Sequence, residues 1–220
     1  GLSELDRVLG GGLVPGSVVL IGGEPGAGKS TLLLQVVTQL AKKIPCLYVS
    51  GEESHQQIAE RARRLGLPDA NVQIAFLTFA EHVAELVTKE RPGVVIIDSI
   101  QVMQMSGVES APGSVTQVRE SAAFLTRLAK QTGTAIVLVG HITKEGNLAG
   151  PKILEHIIDC FLMLDSAAGS RFRTLRGIKN RFGAVNELGV FAMTDRGLRE
   201  VKNPSAIFLE RPQEMTPGSV

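Results

Sequence analysis

The chain has 220 residues, 44% of them hydrophobic and 20% charged, with 23 Lys+Arg against 22 Asp+Glu for a formal net charge of +1. These values exclude a disordered chain, a collagen-like repeat and a disulfide scaffold, and they argue against nucleic-acid binding through bulk positive charge. With eight Phe, one Tyr and no Trp, no stacking platform for single strands is visible.

Short apolar runs alternate with helical patterns along most of the chain. Ser17–Ile21 reads as a strand, followed by a Gly-rich turn and a helix from Ser30 to Lys42. Cys46–Ser50 is a second strand and Ser54–Leu65 a helix. Val72–Phe76 reads as a strand, and Ala80–Glu90 as a helix closed by Pro92. Val94–Asp98 is a wholly apolar strand ending in a carboxylate; Ser114–Thr132 is a long amphipathic helix, and Thr134–Val139 a further buried strand. Strands apolar on both faces, alternating with helices, predict an α/β fold with a mostly parallel sheet. After residue 160 the pattern changes. Cys160–Asp165, Arg171–Ile178, Gly189–Met193 and Leu198–Lys202 read as strands joined by turns such as Ala168-Gly169 and Asp195-Arg196-Gly197. This predicts an antiparallel C-terminal extension of the same sheet.

Nine of the 24 glycines fall within the first 28 residues, where a backbone with such freedom fits a loop that approaches a ligand closely. Gly23-Glu24-Pro25-Gly26-Ala27-Gly28-Lys29-Ser30 fits the pattern G-x-x-x-x-G-K-[ST] and sits between a strand and a helix. The backbone N–H groups of such a loop wrap a β-phosphate, aided by the helix N-terminus, with Thr31 following in the first turn. Lys29 would reach the β/γ oxygens and the Ser30 hydroxyl would ligate Mg²⁺. The alternative is a Gly-rich turn carrying a surface lysine. Asp98 is the expected acidic partner, holding Mg²⁺ in its outer shell, or else capping the following turn.

Hydrolysis also needs a group that activates water. Gly51-Glu52-Glu53 places two carboxylates beyond the second strand, on the same sheet edge. Glu52 is favoured as the base and Glu53 as its support, although either could cap the next helix. His141 ends up on that edge too, as a γ-phosphate sensor or as a structural histidine. Arg171–Arg181 holds five basic residues and no acid. It reads either as a solvated edge strand or as a positive finger reaching a phosphate, with Arg171 and Arg173 on one face and Lys179 and Arg181 at the exit. Cys46 and Cys160 read as buried thiols of a reducing compartment. No run approaches the ~18 apolar residues of a membrane span, so the expectation is a cytoplasmic protein without a membrane.

The run from Gly1-Leu2-Ser3-Glu4-Leu5-Asp6 to Gly10-Gly11-Gly12, followed by the phosphate loop, resembles the opening of RecA-type ATPase cores. Gly51-Glu52-Glu53-Ser54, Ile97-Asp98-Ser99-Ile100-Gln101 and above all Lys179-Asn180-Arg181-Phe182-Gly183 resemble the bacterial RadA (Sms) family over essentially all 220 residues. The resemblance implies a RecA-like P-loop core in hexameric rings, using ATP and Mg²⁺ to move on single-stranded or branched DNA in branch migration and recombinational repair. It implies a RecA-type recombinase as partner. By the same resemblance Lys29, Ser30, Asp98 and Glu52 match the phosphate, metal and water-activating positions. Lys179 and Arg181 resemble a pair presented to a neighbour's γ-phosphate, a motif also tied to DNA. The stretches Met103–Gln117 and Thr143–Lys152 match the two DNA-facing loops, with Arg119, Lys144 and Lys152 as candidate DNA phosphate contacts. The family carries a four-cysteine zinc module before this core and a Lon-protease-like domain after it. Neither lies in these residues, so zinc belongs only to the missing N-terminal module. Residues 1–203 are read as the ATPase domain and 204–220 as a linker toward the missing C-terminal domain. The rival reading is a KaiC-like nucleotide switch that signals through protein partners; Phe182 in the finger motif favours the motor.

Overall fold

The computed structural model describes residues 3–67, 71–142, 151–167 and 169–201. In chain order the elements are α1 (Ser3–Val8), β1 (Val18–Gly23), α2 (Lys29–Leu40), β2 (Cys46–Ser50), α3 (His55–Arg64), β3 (Val72–Phe76), α4 (Ala80–Glu90) and β4 (Val94–Asp98). A 3₁₀ turn (Ile100–Val102) follows, then α5 (Val115–Thr132), β5 (Ala135–His141), α6 (Pro151–Glu155), β6 (Cys160–Ser166), β7 (Phe172–Asn180), β8 (Leu188–Thr194) and β9 (Gly197–Glu200). The segment 204–220, read as a linker, lies outside the described residues.

One sheet runs in the order β3-β2-β4-β5-β1-β6-β7-β8-β9. The first six strands in that order are parallel, and β7, β8 and β9 continue it antiparallel, as the sequence predicts. Alternation along β1 divides the core. Val19 and Ile21 pack with α1, α2 and α3, whereas Val18 and Leu20 pack with α4, α5 and α6. Every residue of β1, β2 and β4 is buried, because helices cover both faces of the central strands. Chain reversal after each strand therefore gathers the C-terminal ends of β1, β2, β4 and β5 on one edge, where open α/β sheets bind ligands.

Several boundaries shift from the sequence reading for reasons of pairing. β1 continues through Gly22 and Gly23 because they pair with Gly140 and His141, which also draws His141 into β5. β7 extends to Asn180 because Lys179 and Asn180 pair with Phe161 and Cys160, so Lys179 lies within the strand rather than at its exit. Helices α1 and α6 and the 3₁₀ turn are too short to show a period. Cys46 and Cys160 are buried free thiols, and burial pushes the Cys46 thiol up to about 11. Among the described residues no helix is long and apolar enough to cross a membrane.

Candidate active site

The loop between β1 and α2 is built by its own backbone. The Ala27 N–H donates to the Glu24 carbonyl at 3.1 Å, closing a turn through Pro25 and Gly26. Gly28 stands at the head of α2 with φ +105°, in a region that side chains with a Cβ rarely adopt. A Cβ on Gly23 would come within 2.5 Å of the Leu164 carbonyl oxygen, so the strand end admits only glycine. Lys29 folds back into the loop, 3% exposed, and its Nζ donates to the carbonyls of Gly23 at 2.6 Å and Glu24 at 2.7 Å. Burial lowers its pKa to about 8, against the opposing pull of Asp98 and Glu24. A lysine this deep is not the surface residue of the alternative reading. Thr31 is half-buried in the first turn of α2.

Asp98, at the end of β4, accepts two short hydrogen bonds on Oδ2, from the Ser30 hydroxyl at 2.7 Å and from the Tyr48 hydroxyl at 2.6 Å. The sequence reading pairs Ser30 with Asp98; the Tyr48 contact it misses. Burial, with the Asp98 carboxylate alongside, pushes the Tyr48 phenol well above its ordinary value, so it stays protonated and donates. One signal was present: the sole Tyr of the chain sits in a wholly buried strand, where its hydroxyl must find a partner.

Beyond β2 the two carboxylates separate. Both amides of the loop donate to the Ser50 hydroxyl, Glu52 at 3.3 Å and Glu53 at 2.9 Å. Neither acid caps α3. Ser54 does so, accepting from the Gln57 amide while the Gln57 side chain accepts from the Ser54 amide. Glu53 pairs with Arg61 on α3, and Glu52 remains exposed.

His141 at the end of β5 joins this edge. Its backbone is held on both sides by Gln101, whose Nε2 donates to the His141 carbonyl at 3.0 Å and whose Oε1 accepts from the His141 amide at 3.3 Å. Gln101 thereby ties the turn after β4 to the end of β5, a role absent from the sequence reading. Burial and then Lys29 lower the His141 pKa, with Glu52 and Asp98 opposing, so the neutral ring is favoured.

Lys179 and Arg181 stand elsewhere. The Lys179 ammonium donates to the carbonyls of Glu155 and Ile158. The Arg181 guanidinium donates to Asp159 Oδ1 at 2.6 Å, while Oδ2 of the same carboxylate accepts from Lys130 at 3.0 Å and from the Val18 amide at 2.8 Å. Val18 is the first residue of β1, and the phosphate loop follows its last. The cationic pair therefore occupies the opposite edge of the sheet from the loop of its own chain. Asn180 between them bonds the Leu9 carbonyl and the Phe182 amide.

Of the DNA-facing candidates, Arg119 is exposed on α5. Lys144 lies outside the described residues, as does the side chain of Lys152 and most of Thr143–Lys152. The first loop is anchored by buried Gln117, which accepts from the Met105 amide and donates to the carbonyls of Val108 and Ser110.

The sequence profile of the AAA domain family matches residues 2–147. The chain belongs to this family. It is 64% identical over 219 residues to DNA repair protein RadA of Salmonella typhimurium, covering 100% of this chain and 48% of that protein. Against DNA repair protein RadA of Bacillus subtilis the identity is 50%, over 99% of this chain and 48% of the relative. The chain thus spans about half the length of the curated relatives it matches. Among solved structures, a DnaB-like replicative helicase superposes with a TM-score of 0.76 at 15% identity, covering 92% of this chain and 61% of the other. The RadB recombinase superposes with a TM-score of 0.69 at 21% identity, covering 92% and 98%. These likenesses establish the fold: a RecA-like core with an antiparallel extension. The AAA-family domain is an ATPase core.

Proposed function

We propose that this core powers an ATP-driven motor acting on single-stranded or branched DNA in recombinational repair, as a ring, hexameric by resemblance, whose active sites are shared between neighbours. One observation carries the reading. The phosphate loop, Asp98, Glu52 and His141 lie on one sheet edge, and Lys179 and Arg181 lie on the other. A chain so divided keeps Lys179 and Arg181 away from its own nucleotide, which supports a role for the pair at the site of a second copy. Ile178, Phe182, Val185 and Leu188 are exposed apolar residues in the same hairpin as the cationic pair, which suits a subunit contact.

In this reading the loop Gly23–Thr31 binds the ATP phosphates, Glu52 activates the attacking water and His141 senses the γ-phosphate. Ser30 and Asp98 offer hard oxygen donors 2.7 Å apart, a set that fits Mg²⁺. That ion, when bound, neutralises charge on the β and γ oxygens. Arg119, Lys144 and Lys152 are the proposed DNA contacts, and a RecA-type recombinase the proposed partner. The likeness to DNA repair protein RadA supports the DNA role. A steady-state ATPase assay on the full-length protein, with and without single-stranded DNA, tests the proposal. Stimulation by DNA is expected. Its absence removes the motor reading and favours a nucleotide switch.

A further inference from the structure

Strand β7 reaches the two edges of the sheet with different basic residues. Lys179 and Arg181 mark one end; Arg173 marks the other and lies against the phosphate loop. Arg173 Nε donates to the Ala27 carbonyl at 3.0 Å, and its Nη1 donates to the carbonyls of Ser170 at 2.7 Å and Phe172 at 3.1 Å. A planar guanidinium bridging three carbonyls is geometry that a lysine does not reproduce.

The contact bears on one peptide of the loop. The Ala27–Gly28 bond is trans, so its C=O and N–H lie in the peptide plane and point in opposite directions. With the carbonyl held by Arg173, the Gly28 N–H is fixed on the side away from Arg173. Gly28 itself imposes little, since glycine tolerates many backbone orientations, and the plane therefore depends on an outside restraint. The rest of the extension lines the same outer side. A Cβ on Gly28 would lie 2.8 Å from Met193 Cε and 3.5 Å from Leu198 Cδ1. Gln35 of α2 is held by both backbone groups of Leu198, donating at 3.0 Å and accepting at 2.9 Å. The antiparallel strands thus brace the loop and the helix it opens.

We propose that Arg173 is a positioning residue for the phosphate loop. By holding the Ala27 carbonyl it presets the Gly28 amide for an anionic phosphate, and it strengthens nucleotide binding without touching the nucleotide. The inference rests on the reading of Gly23–Thr31 as a phosphate loop.

The test uses the full-length protein with Arg173→Gln and Arg173→Lys, titrated with a fluorescent ADP and with inorganic pyrophosphate as competitor. Pyrophosphate carries no base or sugar and therefore reports on the cradle alone. Arg173→Gln is expected to weaken both probes by roughly tenfold, in keeping with loss of one charge-assisted hydrogen bond. The loss falls mainly on KM, and Arg173→Lys recovers part of it. Unchanged affinity for both probes in folded Arg173→Gln overturns the proposal, whatever happens to the melting temperature. A loss confined to kcat overturns it as well. Lys29→Ala separates the two readings. If that variant binds nucleotide like the parent, the phosphate loop itself is misread; if it loses binding while the Arg173 variants keep theirs, only the bracing role is wrong.

Discussion

Arg61 grips Glu53 through a single nitrogen, its Nη1 lying 2.7 Å from one carboxylate oxygen and 3.0 Å from the other. Two adjacent acids are thereby made unequal. Glu53 is engaged by α3, while Glu52 has no ion-pair partner among the described residues and lends its negative field to His141. Glu52→Gln is expected to keep ATP affinity and lose turnover by ~10²-fold or more, the scale of a positioned general base. Glu53→Gln should lose far less, since it loosens the loop without removing the base. Nucleotide titration paired with single-turnover hydrolysis checks this, and equal losses for both variants would refute the division of roles.

The Tyr48 hydroxyl supports Asp98 from beneath. Tyr48→Phe removes a buried donor and leaves the carboxylate with one bond fewer, at a cost of about 1–3 kcal/mol of stability. Because the same oxygen meets Ser30, the half-saturating Mg²⁺ concentration for hydrolysis should rise as well. Thermal melting and a Mg²⁺ titration read the two effects separately. A melting change without any shift in Mg²⁺ dependence would confine Tyr48 to packing.

Much of this arrangement was legible beforehand, and unevenly so. The runs Cys46–Ser50, Val72–Phe76 and Val94–Asp98 match their strands end for end, because each is bounded by turn or helix signals and fills the sheet interior or its edge. The loop between β1 and α2 is legible because its residues are contiguous: glycines, lysine and serine meet within one turn. What escaped was non-local. Tyr48 meets Asp98 only because β2 pairs with β4, and Arg173 reaches Ala27 only because β6 and β7 extend the sheet past β1. Alternation of apolar residues identifies strands but does not order them. In sequence the cationic stretch reads as one unit, whereas the sheet sends its two ends to opposite edges.

If Lys29 meets the phosphates as proposed, nucleotide affinity is expected to depend on pH. Its pKa in the free protein is lowered to about 8, chiefly by burial. A bound phosphate favours the charged ammonium, so the pKa in the complex lies above that of the free protein. Below pH 8 the lysine is already charged and the affinity is flat. Above it, each pH unit requires proton uptake on binding and weakens affinity by up to about tenfold, until the pKa of the complex is reached. ADP titrations from pH 6.5 to 9.5 are expected to show that bend in proportion to those values. Affinity that stays constant across the range would place the ammonium outside the phosphate site.

Arg181 carries the sharpest prediction. In this chain it is held by Asp159, a carboxylate 1% exposed that also binds Lys130 and the first amide of β1, at the edge away from its own phosphate loop. A finger acting across a subunit boundary contributes ~10³–10⁵ to turnover in related nucleotide hydrolases, so Arg181→Ala in the full-length protein should bind ATP and fail to hydrolyse it. Glu52→Gln should fail for the complementary reason. In a mixture of the two variants, some boundaries join an intact Glu52 site to an intact Arg181 from the neighbour. Activity should therefore exceed that of either variant alone and peak at intermediate ratios. A mixture that exchanges subunits and stays inactive at every ratio would place Arg181 outside the neighbour's site and leave DNA as its remaining target.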